Sequence, residues 1–484
     1  MKKYDVIIIG SGIGGLVSAG ILASKGLQVL VLEKHSAAGG YLSSFKRQGF
    51  TFDSAVDCIS GVAPGGLIFR VLEMLGVEDK VNFLRVDPIR VSRFPDFDVS
   101  VDANVNEYRE RLCRLFPSEA SSIGSFLDRV IKTYMQLNWS LQAVLHGSSG
   151  LNILSSDVLQ LMGSSYGDLL DDYFVDNRLK AVLSDRCPFI GLPPNKVSSA
   201  AMINLMMSYF DLGAFRPEGG FQRLSDVFVE GLKKRGGEIK FHSGVTRILM
   251  DDKDCCRAVL CSGGEEYAAQ HIISNADFTS TFGVLIGGKY KRIVDEMMRD
   301  PGLSTSFFLL YAGIEGRLDA HSSMGCYPSY DMQKFFEAGM EFREDSTIGV
   351  TIASREDRSR APYGCETAVF HEMMEASGRR IDKGDCTDTV LRKAERIFPG
   401  IKNRIVVLDA ATPSTLEKYT GNCRGAAFGW KQLPGFRWPK LHGIRNLYIA
   451  GHWGDFGGGA LAAAYSGVKA AGEILAIEGI KDVI

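Results

Sequence analysis

The chain has 484 residues, 45% of them hydrophobic and 23% charged, with a formal net charge of −2. That length outgrows one simple core and predicts two domains or three. The near-neutral charge offers nothing for a nucleic-acid backbone to bind, and the basic groups at Lys233-Lys234-Arg235 and Lys289 to Arg292 read as solvated helix faces.

Tyr4-Asp5-Val6-Ile7-Ile8-Ile9 is a short β-branched run that breaks into Gly10-Ser11-Gly12-Ile13-Gly14-Gly15. An Ala/Leu-rich stretch leads to Gly26, and a second apolar run, Val29-Leu30-Val31-Leu32, ends on Glu33. Strand, glycine turn, helix, strand and acid in that order make a dinucleotide-binding βαβ unit. Gly10 permits the tight turn, Gly12 lets the backbone approach a pyrophosphate, and Gly15 lets the helix pack closely on the strand. The helix N-terminus then turns free N–H groups toward the phosphates. Glu33 can accept hydrogen bonds from both ribose hydroxyls and would repel a 2′-phosphate, which disfavours NADP.

The start Met1-Lys2-Lys3 is not read as a signal peptide: the apolar run behind it is about six residues long, is headed by Asp5, and opens into the glycine turn. No stretch approaches the roughly 18 unbroken apolar residues of a membrane span. A cytoplasmic protein is expected, and resting on a membrane surface remains compatible with it.

After Glu33 come Ala37-Ala38-Gly39-Gly40-Tyr41 and a hairpin-like stretch through Gly49-Phe50-Thr51-Phe52-Asp53. From about 105 to 215 the pattern is helical, with strand signals nearly absent. Its most apolar part, Val197 to Leu212, covers most of a helix surface, as either core or the lining of an apolar cavity. Arg216-Pro217-Glu218-Gly219-Gly220 punctuates the chain before a helix from Leu224 to Arg235. Short strands are predicted at Glu238–Phe241, Val245–Ile248, Ala258–Leu260 and His271–Ile273, the last closing on Ser274-Asn275-Ala276-Asp277. Residues 303 to 440 mix strand-like runs, such as Phe307–Tyr311 and Thr347–Val350, with helices such as Asp388 to Ile397. The chain closes with Leu447-Tyr448-Ile449-Ala450-Gly451, a glycine-rich turn and a helix from Ala460 to Ile477.

The ten cysteines are scattered without a CxxC pair, and Cys255, Cys256 and Cys261 have no histidine at ligand spacing, so reduced structural thiols are expected. The eight histidines lie far apart, and neither a GxSxG nor a metal-ligand spacing occurs, so no metal is expected.

Four separated motifs coincide: the N-terminal unit with Gly39-Gly40 behind it; Pro217-Glu218-Gly219-Gly220 before a helix; Ser274-Asn275-Ala276-Asp277 after a strand; and Ile449-Ala450-Gly451 with Gly457-Gly458-Gly459 opening the last helix. Together they resemble the phytoene desaturase, carotenoid isomerase and retinol saturase superfamily of flavoproteins, in order and over nearly the whole chain. The resemblance implies an α/β fold. In it a Rossmann-like FAD-binding domain, glutathione-reductase-like and amine-oxidase-like, is interleaved with a substrate domain of mixed sheet and helical lid. Residues 1–95, 216–285 and 441–484 would form the first, and 96–215 and 286–440 the second. It implies FAD, held extended with its adenosine end at Glu33 and the backbone around Val245 at the adenine. The cofactor contacts so implied are Gly10, Gly12, Gly14, Gly15, Glu33, Lys34, Gly39, Gly40, Val245, Gly451, Asp455, Gly459 and Ala460. Two positions depart from the group's pattern: Phe456 stands where a proline is usual, and Tyr41 where a small polar or basic residue is usual.

A flavin brings its own redox chemistry, so the protein's part is to aim a substrate carbon at it. The expectation is an FAD-dependent oxidoreductase acting on a long apolar unsaturated substrate, a carotenoid or other isoprenoid polyene, by desaturation, saturation or redox-neutral cis–trans isomerisation. Asp455 could stabilise a delocalised cation, while His452 or Tyr41 could supply a proton; Asp455 could equally cap the final helix. Only one dinucleotide fingerprint is evident, so electrons would pass to or from quinone or oxygen, or cycle without net change. Two rival readings are a flavin amine oxidase, with Tyr41, Trp430 and Trp453 as an aromatic cage, and a non-enzymatic carrier of prenyl lipid. If the substrate lives in a bilayer, an exposed apolar surface is expected from the helical segment 105–215, first around Val197 to Phe210.

Overall fold

A computed structural model describes residues 3–145, 154–298, 302–379, 381–436, 439, 443–480 and 483; of the N-terminal Met-Lys-Lys, Met1 and Lys2 lie outside that set. Strand Lys3–Ile9 lies between Glu266–Ser274 and Val29–Leu32, all parallel, with Glu238–Lys240 beyond Val29–Leu32. Val245–Met250 and Cys256–Cys261 extend the sheet antiparallel on the other side, where Leu447–Ile449 also pairs, in parallel, with the end of Glu266–Ser274. Both faces are covered, which is why Lys3–Ile9 and Val29–Leu32 read as apolar runs rather than alternating ones. Val6, Ile8, Val29 and Val31 meet helices Ile13–Ser24, Phe221–Lys234 and Ala460–Ile477, while Ile7, Ile9, Leu30 and Leu32 pack with Val259 and Ile272.

Register determines where the motifs emerge. Ile9 is level with Leu32 and with Ser274, and Ser274 with Ile449. The glycine turn, Glu33, the Asn275 turn and the Gly451 turn therefore leave one edge of one sheet, the carboxyl end where ligands of such sheets bind.

A second sheet runs Ile405–Ala411, Ser306–Glu315, Cys365–Met374, Ile348–Thr351, Ser323–Cys326, Arg90–Arg93, Asp98–Val101, antiparallel except where Arg90–Arg93 pairs with Ser323–Cys326. Helix Lys383–Ile397 covers one face through Val390 and Ala394. The opposite face lies below the helices of 105–212, including Ala120–Leu145, Ser156–Gly163 and Ser199–Leu212; no strand interrupts that segment among the described residues. The second sheet begins earlier than the boundary at 95, because Arg90–Arg93 pairs into it. Its alternation of arginine and serine hides the strand from a reading based on hydrophobicity. We propose that the domain division otherwise follows the two sheets.

The expected helices Leu224–Arg235 and Asp388–Ile397 start earlier, at Phe221 and Lys383.

Candidate active site

Gly10 sits at φ +89, a region closed to most side chains, and turns the chain out of the first strand. Beyond it the turn is built around Asn275. A Cβ on Gly12 would lie 2.7 Å from Asn275 Nδ2, and Cβ atoms on Gly14 and Gly451 would lie 2.8 and 2.7 Å from its Oδ1. On Gly15 the obstacle is the Gly10 carbonyl at 2.4 Å, which is the close helix–strand packing expected there. The glycines thus make room for one amide that joins the N-terminal and C-terminal turns, an occupant the spacing alone does not disclose.

Glu33, 7% exposed, organises the same loop. Its Oε2 accepts from Ser11 N at 2.9 Å and Ser11 Oγ at 2.5 Å, and its Oε1 from His35 N at 2.9 Å. A carboxylate offers about four accepting positions, so Oε1 keeps room for a ribose hydroxyl while most of the capacity expected for both hydroxyls is spent on the loop. Gly39 bridges Gly12 and donates its N–H to the Ser11 carbonyl at 2.9 Å, which brings the Gly39-Gly40 turn alongside. Lys34 lies beside Glu33, and burial lowers its pKa.

Two helices start at this place without a side-chain cap: Ile13–Ser24 behind Gly12 and Ala460–Ile477 behind Gly459, where nothing stands within 4 Å of a Cβ position. Their free N–H groups and dipoles favour an anion. Both open on one cavity of about 2080 Å³. It is lined by Gly10, Gly12, Gly14, Glu33, Lys34, Gly39, Gly40, Val245, Gly451, Asp455, Gly459 and Ala460; among the expected contacts Gly15 alone stands back from it. Uncapped helix starts, an acid at the strand end and backbone cleared of side chains fit a bound dinucleotide. The cavity exceeds the roughly 300–1,000 Å³ of an ordinary ligand pocket and continues beneath the helices. There Leu137, Leu141, Leu159, Met162, Ala201 and Leu205 face Phe307, Leu309 and Met373 of the second sheet.

Helix Ser199–Leu212 fulfils both roles open to it. Met202, Ile203, Met206 and Met207 are buried core, while Ala200, Ala201, Leu205, Tyr209 and Leu212 line the cavity. No large apolar side chain from Val197 to Phe210 is therefore exposed; elsewhere in the segment 105–215 Met135 and Trp139 are each 65% exposed and Leu159 is 48% exposed.

Tyr41, His452 and Asp455 all line the cavity. The Tyr41 and His452 rings lie 6.0 Å apart. Tyr41 Oη donates to the Ala426 carbonyl at 3.0 Å, and burial pushes its pKa up to about 12. Burial pulls His452 down to about 4, so the ring is neutral near pH 7. Asn422 Oδ1 lies 3.0 Å from His452 Nε2 and accepts from Trp453 Nε1 at 2.8 Å, and the ring also bonds the Ala427 backbone, so the single proton of the neutral imidazole faces two acceptors. Asp455 does not cap the last helix, whose start has no side-chain cap; it pairs with Lys469 at 2.6 Å. The aromatic cage is not assembled: Trp430 and Trp453 are buried against each other, centroids 5.2 Å apart, and neither lines the cavity.

Sequence reasoning missed Ser11 and Asn422 as partners in the site, quoted Asn275 only within its motif, and did not single out Arg90 and His371 in the cavity wall. Ser11 lies inside the glycine fingerprint and carries a signal; the others are brought to the site by tertiary packing.

A family model described as flavin containing amine oxidoreductase matches residues 13–475. Prolycopene isomerase 1, chloroplastic, of an Oncidium hybrid cultivar is 28% identical over 514 residues, covering 99% of this chain and 85% of that protein. The all-trans-retinol 13,14-reductase of Homo sapiens is 26% identical, covering 93% and 82%. Among solved structures, an oxidoreductase from Methanosarcina mazei superposes with a TM-score of 0.68 at 19% identity, covering 99% of this chain and all of that one. A putrescine oxidase variant superposes at 0.64 with 16% identity, covering 98% and 99%.

Proposed function

The chain belongs to the flavin containing amine oxidoreductase family, and from that premise we propose that it acts on a long apolar polyene of the isoprenoid class. It is an FAD-dependent oxidoreductase. The observation that carries the proposal is the cavity, in which the dinucleotide loops and an apolar chamber are one continuous space. FAD when bound supplies hydride acceptance or donation at the flavin ring.

The chain's own residues do the rest. Gly10, Gly12, Gly14 and Gly39 would hold the cofactor's phosphates against backbone N–H groups, and Glu33 would take a ribose hydroxyl. Gly451, Gly459 and Ala460 would present the second helix start to its other end, with Val245 toward the adenine. The apolar wall binds substrate by burial, worth about 25 cal/mol per Å², and excludes water. Tyr41 and His452 are neutral, and their protons are engaged by the Ala426 carbonyl and by Asn422 and Ala427. Asp455 shares Lys469 with Glu473, so its charge is only partly matched. With no proton to spare at Tyr41 or His452, and a carboxylate at hand for a delocalised cation, we favour desaturation or redox-neutral isomerisation over saturation. The relatives named prolycopene isomerase accord with that preference.

The amine-oxidase alternative loses its cage, because Trp430 and Trp453 face each other and not the cavity. Met135, Trp139 and Leu159 stand beside the cavity-lining Leu137 and Leu141, and we assign this rim to peripheral contact with a membrane from which a polyene could enter. Cytoplasmic residence with such contact is the localisation proposed. The test is solvent extraction of the purified yellow protein and mass spectrometry of what is released. An isoprenoid or polyene is expected; a stoichiometric polar amine would overturn the proposal.

A further inference from the structure

The floor of the chamber carries one polar interruption. In the second sheet Leu309 stands opposite His371, His371 opposite Gly349, and Gly349 opposite Gly325. Residues directly opposite share a face, so the row reads leucine, histidine, glycine, glycine across the sheet. The Arg90 side chain from the next strand lies over the second glycine: a Cβ on Gly325 would lie 2.2 Å from Arg90 Nη2. Beside Gly349 the nearest atoms to a Cβ position are His371 Cβ at 3.6 Å and the Met324 carbonyl at 3.7 Å. The two glycines clear a trough between a guanidinium and an imidazole, and Arg90, Gly349 and His371 all line the cavity.

Both polar groups keep unspent hydrogen-bonding capacity. Arg90 is 6% exposed, its guanidinium lies 5.0 Å over the Phe189 ring, and its Nε has no hydrogen-bond partner. His371 Nε2 also has none, while the ring bonds to the Val369 backbone in a way that favours a proton, as a carbonyl does when a ring nitrogen donates to it. Burial holds His371 neutral, at about 4. With the proton on Nδ1, Nε2 is left as an acceptor.

The carboxylates around the trough already have partners. Asp57 accepts from Arg216 Nη2 and from Ser323 Oγ, each at 2.5 Å, and Arg216 also meets Glu356. Asp185 accepts from Ser92 Oγ at 2.7 Å and, with Asp57, acts electrostatically on Arg90. A donor and an acceptor side by side in the wall suit a group that both accepts and donates. A hydrocarbon leaves both unpaired, and an aldehyde or a carboxylate uses only the donor and sets its oxygens against the His371 lone pair.

The geometry points to a hydroxyl subsite: the isoprenoid taken by this cavity carries an alcohol, whose oxygen accepts from Arg90 and whose O–H donates to His371 Nε2. This rests on the polyene reading of the cavity.

The test titrates the FAD-loaded protein with four polyenes of one chain length, namely retinol, its aldehyde, its acid and the hydrocarbon lacking the oxygen. Binding is followed by the change in flavin absorbance. Retinol should bind about tenfold or more tighter than the hydrocarbon, as one or two satisfied buried hydrogen bonds require. Arg90→Gln and His371→Leu should each erase that preference while leaving hydrocarbon affinity within about twofold. Should Arg90→Gln fail to fold, Gly349→Val serves in its place, since its Cβ meets only ordinary contacts and the added methyls fill the trough. Equal affinities for retinol and hydrocarbon, or a preference for the acid, would overturn the subsite and leave the polyene reading standing. If none of the four perturbs the flavin, the polyene reading itself falls, and the subsite with it.

Discussion

Glu33 shows how much one residue's role depends on its neighbours. It is legible in the sequence as the acid ending the second strand, yet the structure gives most of its accepting capacity to Ser11 and His35. Glu33→Ala should therefore weaken FAD binding roughly 10- to 100-fold, because charged hydrogen bonds worth roughly 1.5–3 kcal/mol are lost to ribose and loop together. Flavin occupancy after extensive dialysis measures this, and equal occupancy in mutant and wild type would place the adenosine end elsewhere. Gly12→Val should abolish the holoprotein for the added reason that its Cβ meets the Asn275 amide at 2.7 Å. Asn275→Ala should then lower flavin occupancy as well, since the two turns lose their shared partner.

Two buried histidines make stability depend on pH. Burial lowers His371 and His452 from an ordinary 6.5 to about 4. Above pH 6.5 both are neutral whether the chain is folded or unfolded. Between 6.5 and 4 the unfolded chain takes up protons that the folded one refuses, so stability falls as pH falls through that window. The contribution is on the order of 3 kcal/mol for each histidine once the folded pKa is reached. Urea midpoints at pH 7 and pH 5 should differ more for the wild type than for His371→Leu, and an identical shift would remove His371 from this linkage.

At the scale of elements, legibility follows burial pattern. Val29–Leu32 and Ala460–Ile477 fall where their apolar runs place them. Covered on both faces or pinned by a glycine start, they leave little to tertiary choice. The helical span before Phe215 is read equally well. Arg90–Arg93 and Ser323–Cys326 are not, because their residues, Arg-Val-Ser-Arg and Ser-Met-Gly-Cys, belong to a sheet whose cavity side is cleared or polar. No periodicity marks such strands, and they supply the Arg90 and Gly325 side of the trough. The outward apolar face shifts for a related reason: the apolar residues of Ser199–Leu212 are spent on core and cavity, and the exposed ones sit on Ala120–Leu145 and Ser156–Gly163. Trp139→Glu combined with Met135→Glu should abolish flotation with anionic liposomes while leaving flavin occupancy unchanged. No flotation of the wild type would remove the membrane contact.

At the scale of the molecule, the two sheets meet across buried ion pairs. Arg216, before the Phe221–Lys234 helix, pairs with Asp57 at 2.5 Å and with Glu356, and Arg360 pairs with Asp53. Burial and the Arg216 charge act in opposite directions on Asp57, and the net effect holds its pKa below the ordinary carboxylate value. Arg216→Met would leave that carboxylate buried and unpaired, at a cost of about 3–5 kcal/mol. A melting temperature lowered by several degrees is expected, and an unchanged one would mean that water reaches the pair. These contacts hold the dinucleotide edge of one sheet beside the floor of the other, which makes one cavity out of two.

The central claim is that this joined cavity processes a polyene. It is tested most directly by incubating the FAD-loaded protein anaerobically with cis-configured and all-trans polyenes and separating the products by chromatography. The account predicts a change of double-bond geometry or number in the polyene, with isomerisation proceeding without an added electron acceptor. Polyenes recovered unchanged, while a primary amine supplied in air yields hydrogen peroxide, would contradict it.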